Sequence, residues 1–347
     1  MLPLTARKSL WYYRRTGTAR PTMLAAGEGK GETEAFSKWR VGVHTSIAGS
    51  LDQAAERAHQ IGCTASQIFS GSPRMWRQRE PSQEEVSRMA RLRARYDLRP
   101  LVIHTNYLIN LATPEPALRQ RSVEAFVGEI RRAEALGADY LVLHPGSYRD
   151  GSPEQGMRTL ATALREAARR APLDKVTILI ENTCGQGKLL GGTLEEVRDI
   201  LALLGGLPAA CCVDTAHCFA AGMDVSAREG LEATLAALDQ TVGLGRVPVI
   251  HANDSRSPLG SRRDRHEHIG KGGIGREGFR RIVNHPALRN KTFILETPIE
   301  TAGDDRRNLE TIRALRESPS RSARGARRRP SIPLSLSARL TARRARP

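Results

Sequence analysis

The sequence predicts an α/β protein, a single-domain (β/α)8 TIM barrel with disordered basic tails, on three observations. Eight short apolar runs recur through the middle of the chain, and amphipathic helical patterns fill most of the gaps between them. The 347 residues also leave room for a barrel of about 250 residues with extensions at both ends. An open doubly wound sheet is the architectural alternative. No GxGxxG follows the first run, which weakens the dinucleotide-binding version of that alternative.

The expected strands, in order, are 41–44 (VGVH), 66–69 (SQIF), 101–104 (LVIH), 140–143 (YLVL), 176–180 (VTILI), 211–213 (CCV), 247–251 (VPVIH) and 292–296 (TFILE). Their starts lie about 25 to 45 residues apart, room for one strand and one helix. Examples of the helical periodicity are Leu51–Ile61, Gln83–Tyr96, Pro116–Leu136, Pro153–Ala171, Thr193–Leu203 and Arg276–Ile282.

Composition sets further bounds. Hydrophobic residues at 39% and charged residues at 26% describe a globular chain. The longest uncharged apolar run, Ile200 to Val213, has 14 residues. A membrane-spanning helix needs about 20, so no membrane segment is expected. Cys63, Cys184, Cys211, Cys212 and Cys218 are odd in number and form no CxxC pair, which points to a reducing compartment and a cytoplasmic location. Cys211 and Cys212 adjoin within an apolar run, so at least one belongs to the core.

The net charge of +17 needs dissecting before it is read as a nucleic-acid signature. Residues 1–27 carry five basic side chains (Arg7, Lys8, Arg14, Arg15, Arg20) and no acid, and residues 318–347 carry nine arginines and no acid. Only +3 therefore remains for residues 28–317. A folded part that binds DNA must use a local patch or bound metal ions. Residues 1–39 read as a disordered basic extension; their composition also fits a transit peptide, or a start at Met23. Residues 40–317 form the expected domain, and residues 318–347 a disordered Arg-rich tail.

The ends of the strands carry the chemistry. His44, His104, His144, Glu181, Asp214, His251 and Glu296 end or directly follow seven of the eight expected strands. In an α/β barrel those ends form one mouth, where active sites lie. One such histidine alone is more often structural; seven ligand-type residues together are not. Carboxylates gathered in one cavity repel, and divalent cations relieve this. Two short motifs add ligands: Asp214-Thr-Ala-His217 and Asp264-Arg-His266. Mixed imidazole and carboxylate donors suit zinc, with manganese or iron as alternatives. With His44 set aside, nine candidate ligands exceed one tetrahedral site and fit two or three ions sharing a bridging carboxylate. Such a cluster suits phosphodiester hydrolysis.

The ordered set His104-Thr-Asn-Tyr-Leu-Ile-Asn, His144-Pro-Gly-Ser, Glu181-Asn-Thr, Asp214-Thr-Ala-His217, His251-Ala-Asn-Asp254, Asp264-Arg-His266 and Glu296-Thr resembles endonuclease IV, the AP endonuclease family with a trinuclear zinc site. The likeness spans about residues 40–300. It implies one zinc on His104, His144 and Glu181, and a second on Glu181, Asp214, His251 and Glu296. A third would sit on His217, Asp264 and His266. Glu181 and Glu296 are the implied catalytic carboxylates, the first bridging two ions and the second orienting or deprotonating the nucleophile. The implied substrate is double-stranded DNA with abasic sites or blocked 3′ ends, and the implied state is a monomer.

The resemblance also places Arg74 in the gap left by the flipped-out nucleotide, with Tyr107 and Leu108 wedging the minor groove. Core packing is the alternative for Trp76 and Leu108. This chain carries Ser72 where the family commonly has Asn before the Pro-Arg pair. His44 is read as supporting the site or touching substrate, His268 as exposed, and His59 and His285 as surface residues. The loop Gly270 to Gly275, with Lys271, is read as a phosphate-approaching loop or a tight turn. Cys218 lies outside the ligand set. A sugar isomerase or epimerase on the same scaffold, and a non-catalytic damaged-DNA binder, are the rival functions.

Overall fold

The computed structural model describes residues 39–317. Eight parallel strands form the sheet: β1 (Val41–Val43), β2 (Ser66–Phe69), β3 (Leu101–His104), β4 (Tyr140–Leu143), β5 (Thr177–Glu181), β6 (Ala209–Asp214), β7 (Val249–His251) and β10 (Thr292–Leu295). The ladder runs β1-β10-β7-β6-β5-β4-β3-β2. Its two ends meet through a parallel bridge between His44 and Gln67, where the Thr45 N–H donates to the Gln67 carbonyl at 2.7 Å. Two short strands, β8 (Asp254–Ser255) and β9 (His266–Glu267), form an antiparallel ribbon after β7. The TIM barrel is as expected, with strand boundaries moved by a residue or two.

The period-2 alternation of a strand builds the barrel interior in two storeys. Ala65, Val102, Val142, Leu179, Cys212, Val249 and Ile294 form an apolar floor, each fully buried. Two residues further along each strand, on the same face, stand Gln67, His104, His144, Glu181, Asp214, His251 and Glu296. The eighth strand has Gly42 below His44. A Cβ on Gly42 would lie 1.9 Å from the Ala65 carbonyl oxygen, so glycine allows the β1–β2 approach that closes the barrel.

Around the strands run α1 (Gln53–Gln60), α2 (Gln83–Tyr96), α3 (Pro116–Ala135), α4 (Pro153–Arg170), α5 (Leu194–Leu203), α6 (Thr215–Ala221), α7 (Arg228–Thr241), α8 (Gly275–Asn284) and α9 (Asp304–Ala314). Their starts are chemically marked. Ser82 and Glu85 make a capping box on α2, and Ser152 and Gln155 make another on α4, followed by Pro153 at the first turn. α4 buries Met157, Leu160, Ala161, Leu164 and Ala167, the 3–4 spacing of one helix face. Helices α6, α7 and α9 lie beyond the stretches exemplified from the sequence. Among the described residues no helix is long and apolar enough to cross a membrane.

Trp39 is half-buried and packs edge-on to Phe293, ring centroids 5.6 Å apart. The rest of the expected N-terminal extension and the whole C-terminal tail lie outside the described residues.

Candidate metal centre

The upper storey opens into a cleft of about 360 Å³ at the C-terminal ends of the strands. Three groups of donor atoms converge there, each within 4.8 Å of one another: His104, His144 and Glu181; Glu181, Asp214, His251 and Glu296; and Asp214, His217 and His266. Asp264 joins the last group, its carboxylate oxygens 3.2 Å from His217 Nε2 and 3.4 Å from His266 Nε2. Glu181 is central and fully buried. Its Oε2 lies 3.1 Å from His144 Nε2 and 3.4 Å from His104 Nε2, and its Oε1 lies 3.0 Å from His251 Nδ1. All nine expected ligands thus come together.

Two details fit these residues to cations. Glu181 Oε2 and His266 Nε2 are buried and lack any hydrogen-bond partner, an arrangement that burial penalises unless another group completes it. The histidine rings are also oriented by their outer nitrogens. Nδ1 of His104 contacts the Thr105 carbonyl at 2.8 Å, Nδ1 of His217 the Asn182 carbonyl at 2.9 Å, and Nδ1 of His266 the Glu296 carbonyl at 3.0 Å. A carbonyl only accepts, so each Nδ1 carries a proton and Nε2 is the atom that each ring turns to the cluster. His251 is reversed: Nε2 donates to Gln67 Oε1 at 2.8 Å and leaves Nδ1 to the cluster. Histidine ligands are ordinarily held in this way.

Electrostatics agree. Burial disfavours a charged Glu181, yet the neighbouring imidazoles of His251 and His144 outweigh it and hold the carboxyl well below its usual range. Burial likewise disfavours a charged His217, but Asp214, Asp264 and Glu181 raise it well above the ordinary imidazole value. Protons on histidine offset the carboxylates here, and divalent cations can replace those protons. His44 is different: burial lowers its pKa despite the Glu296 carboxylate 3.5 Å away. Its Nδ1 lies 3.0 Å from Gln67 Nε2, the same amide that donates to Glu296.

Three amides complete the site and were not singled out from the sequence. Gln67 holds His251 and donates to Glu296 Oε1 at 2.5 Å. Asn253 donates to Asp214 Oδ2 at 2.6 Å and accepts the Glu296 N–H at 2.7 Å. Asn182 accepts the Asp214 N–H at 2.7 Å. Their signal was available in the strand alternation: Gln67 is the inward residue of β2, two positions before that strand ends.

The expected DNA-contacting residues stand on loops at the mouth. Arg74 is exposed, Tyr107 is 68% exposed and Leu108 is half-buried. The Tyr107 N–H donates to the Pro73 carbonyl at 3.2 Å, so the two loops touch. Trp76 is half-buried against the core, under the Arg121 guanidinium at 4.5 Å.

Two readings need correction. His268 is buried rather than exposed; Asn308 Nδ2 donates to its Nδ1 at 2.9 Å. The Gly270–Gly275 loop does present its amides to an anion, but that anion is internal. The N–H groups of Gly270, Gly272, Ile274 and Gly275 all point to the Asp254 carboxylate, at 2.9, 3.0, 2.9 and 3.2 Å. They are unavailable for phosphate. His59 stacks on Tyr96 and His285 meets Glu232, both away from the site. Cys218 is buried, its sulfur 3.5 Å from Asn182 Nδ2.

The barrel and its polar upper storey define a class: residues 55–318 match the family described as xylose isomerase-like TIM barrel. Relatives resolve the class further. A probable endonuclease 4 of Solibacter usitatus is 51% identical over 80% of this chain and 96% of its own length. One from Halothermothrix orenii is 40% identical over 80% of this chain and 99% of its own. The crystal structure of endonuclease IV from Thermus thermophilus superposes with a TM-score of 0.72 at 41% identity, covering 80% of this chain and 98% of that one. The chain belongs to the endonuclease IV family.

Proposed function

We propose that the protein is a DNA-repair endonuclease that hydrolyses the phosphodiester 5′ to abasic sites in double-stranded DNA. The products are a 3′-hydroxyl and a 5′-deoxyribose phosphate, and blocked 3′ ends are trimmed by the same chemistry. The observation that carries this reading is the convergence at the barrel mouth of eight donor side chains in three overlapping groups, joined by Asp264, with outer hydrogen bonds that turn one ring nitrogen of each of four histidines inward. The reading assigns His104, His144 and Glu181 to one zinc ion, and Glu181, Asp214, His251 and Glu296 to a second. His217, Asp264 and His266 are assigned to a third; manganese can replace zinc at part of the site.

Such cations supply Lewis acidity and lower the pKa of water so that it attacks phosphorus at neutral pH. The chain's own groups do the rest. Glu181 fixes the spacing of the cluster. Glu296, held by Gln67 Nε2 on one oxygen and 3.4 Å from Asn253 Nδ2 on the other, is oriented to accept a proton from water. Arg74 fills the space of the missing base, and Tyr107 and Leu108 part the strands from the minor-groove side. A lesion that lacks a base costs less to extrude, which supports selectivity. The reading takes residues 40–317 as the acting domain, monomeric, working in the cytoplasm on nucleoid DNA.

The test is end-group analysis on a duplex carrying one abasic-site analogue. A cut 5′ to the lesion that leaves an extendable 3′-hydroxyl, and its loss in Glu181→Ala, is expected. Removal of a central ligand should cost more than the roughly 100-fold loss at the upper end for an outer-sphere partner. A cut 3′ to the lesion contradicts the reading.

A further inference from the structure

Helix α3 carries a buried ion pair that the metal centre does not use. Glu129 and Arg132 are 1% and 3% exposed, and their groups lie 3.4 Å apart. The helix makes room for it with a glycine: a Cβ on Gly128 would lie 2.8 Å from Arg132 Nη1. Mid-helix glycine is unfavourable, and a buried ion pair is weak support for stability, so fold stability does not explain either choice.

The partners do explain it. Ser70, which begins the loop carrying Arg74, donates to Glu129 Oε2 and accepts from Arg132 Nε at 2.8 Å. Arg132 Nη1 also reaches Glu80, near the end of that loop, at 3.8 Å. Glu129 Oε1 accepts from Asn106 Nδ2 at 3.3 Å, and Asn106 Oδ1 in turn accepts the Leu108 N–H at 3.0 Å. One carboxylate thus grips the roots of two loops that leave different strands.

We infer that Glu129 is a positioning residue: with Arg132 it sets the spacing between Arg74 on one loop and Tyr107 and Leu108 on the other. The three side chains enter the duplex as one rigid unit. This rests on the endonuclease reading above. It differs from a structural role because it acts only through the tips of the loops.

The experiment is a double-mutant cycle on the full chain, reading kcat/KM on a duplex with one abasic site. Glu129→Gln keeps the shape of the side chain but replaces half of its acceptor capacity with donors. In the wild-type background it is expected to lower kcat/KM about tenfold to 100-fold, the range for misplacing a group by an ångström, with metal content unchanged. In an Arg74→Ala, Tyr107→Ala, Leu108→Ala background the same change is expected to cost less than about threefold, because the tips it positions are gone. Equal losses in both backgrounds, or none in the wild type, overturn the inference. If Glu129→Gln does not fold, Ser70→Ala carries the same comparison. Absence of cutting by the wild type sinks the endonuclease reading itself, whereas wild-type cutting that Glu129→Gln leaves untouched sinks only this inference.

Discussion

Glu181 sits where four imidazoles meet, and almost every property of the site follows from its burial. A lone carboxylate in the barrel would be neutral; this one is surrounded by His104, His144, His217 and His251 within 3.4 Å and stays charged. The charge is only useful if the rings keep their lone pairs inward, and that is the task of Gln67 for His251. Gln67→Ala removes the acceptor on His251 Nε2 and should weaken metal binding by about 10- to 100-fold, measured by competition with a chelator. Unchanged affinity would mean that the ring needs no outer partner. A second prediction concerns Cys63, whose thiol is pushed up to about 12, by burial above all. An unfolded thiol ionises near pH 8.5 and the folded one does not until about 12, so its contribution to stability is complete below about pH 8.5 and is lost as pH rises towards 12. Wild-type stability should therefore fall more steeply between pH 9 and 11 than that of Cys63→Ala, by denaturant titration. Parallel slopes would refute it.

At the scale of elements, what was legible depended on whether a residue's type announced its job. The strand ends at His104, His144, Glu181, Asp214, His251 and Glu296 were readable because buried ligand-type side chains are expensive and therefore rare. Gln67 was not: a neutral amide carries no such flag, and the stagger of the barrel places it two residues before β2 ends, level with His44 on β1. The Gly270–Gly275 loop misled for a related reason. A row of glycine amides signals an anion, but not whether that anion is a ligand or the chain's own Asp254. Helix α6 was hidden because Asp214 is at once a candidate ligand and the N-cap, its Oδ1 accepting the His217 N–H at 2.7 Å. Helix starts with plain caps were clearer. Ser82→Ala removes the capping box of α2 and should cost about 1 kcal/mol. Calorimetry should register this as a fall in Tm of about 2–4 °C for a domain of this size. No change in Tm would show that α2 is held by tertiary packing alone.

For the whole molecule, charge and shape divide the work. Most of the excess positive charge lies in residues 1–27 and 318–347, leaving the barrel nearly balanced. The proposed lesion selectivity then falls to the mouth, where the described exposed large hydrophobics, Met75, Tyr107, Leu259 and Ile299, sit on loops that follow strands. A xylose isomerase-like barrel could equally serve a sugar enzyme. What separates the two is the added donor set of His217, Asp264 and His266 on α6 and the β8–β9 ribbon, together with loops that project an arginine and a tyrosine. The most direct test is cleavage of a duplex with one abasic site, beside an intact duplex, before chelation, after prolonged chelation, and after zinc is restored. Cutting of the lesion strand alone, lost on chelation and recovered with zinc, is expected. Cutting that survives complete removal of metal, or none by folded, metal-loaded protein, would contradict the endonuclease reading.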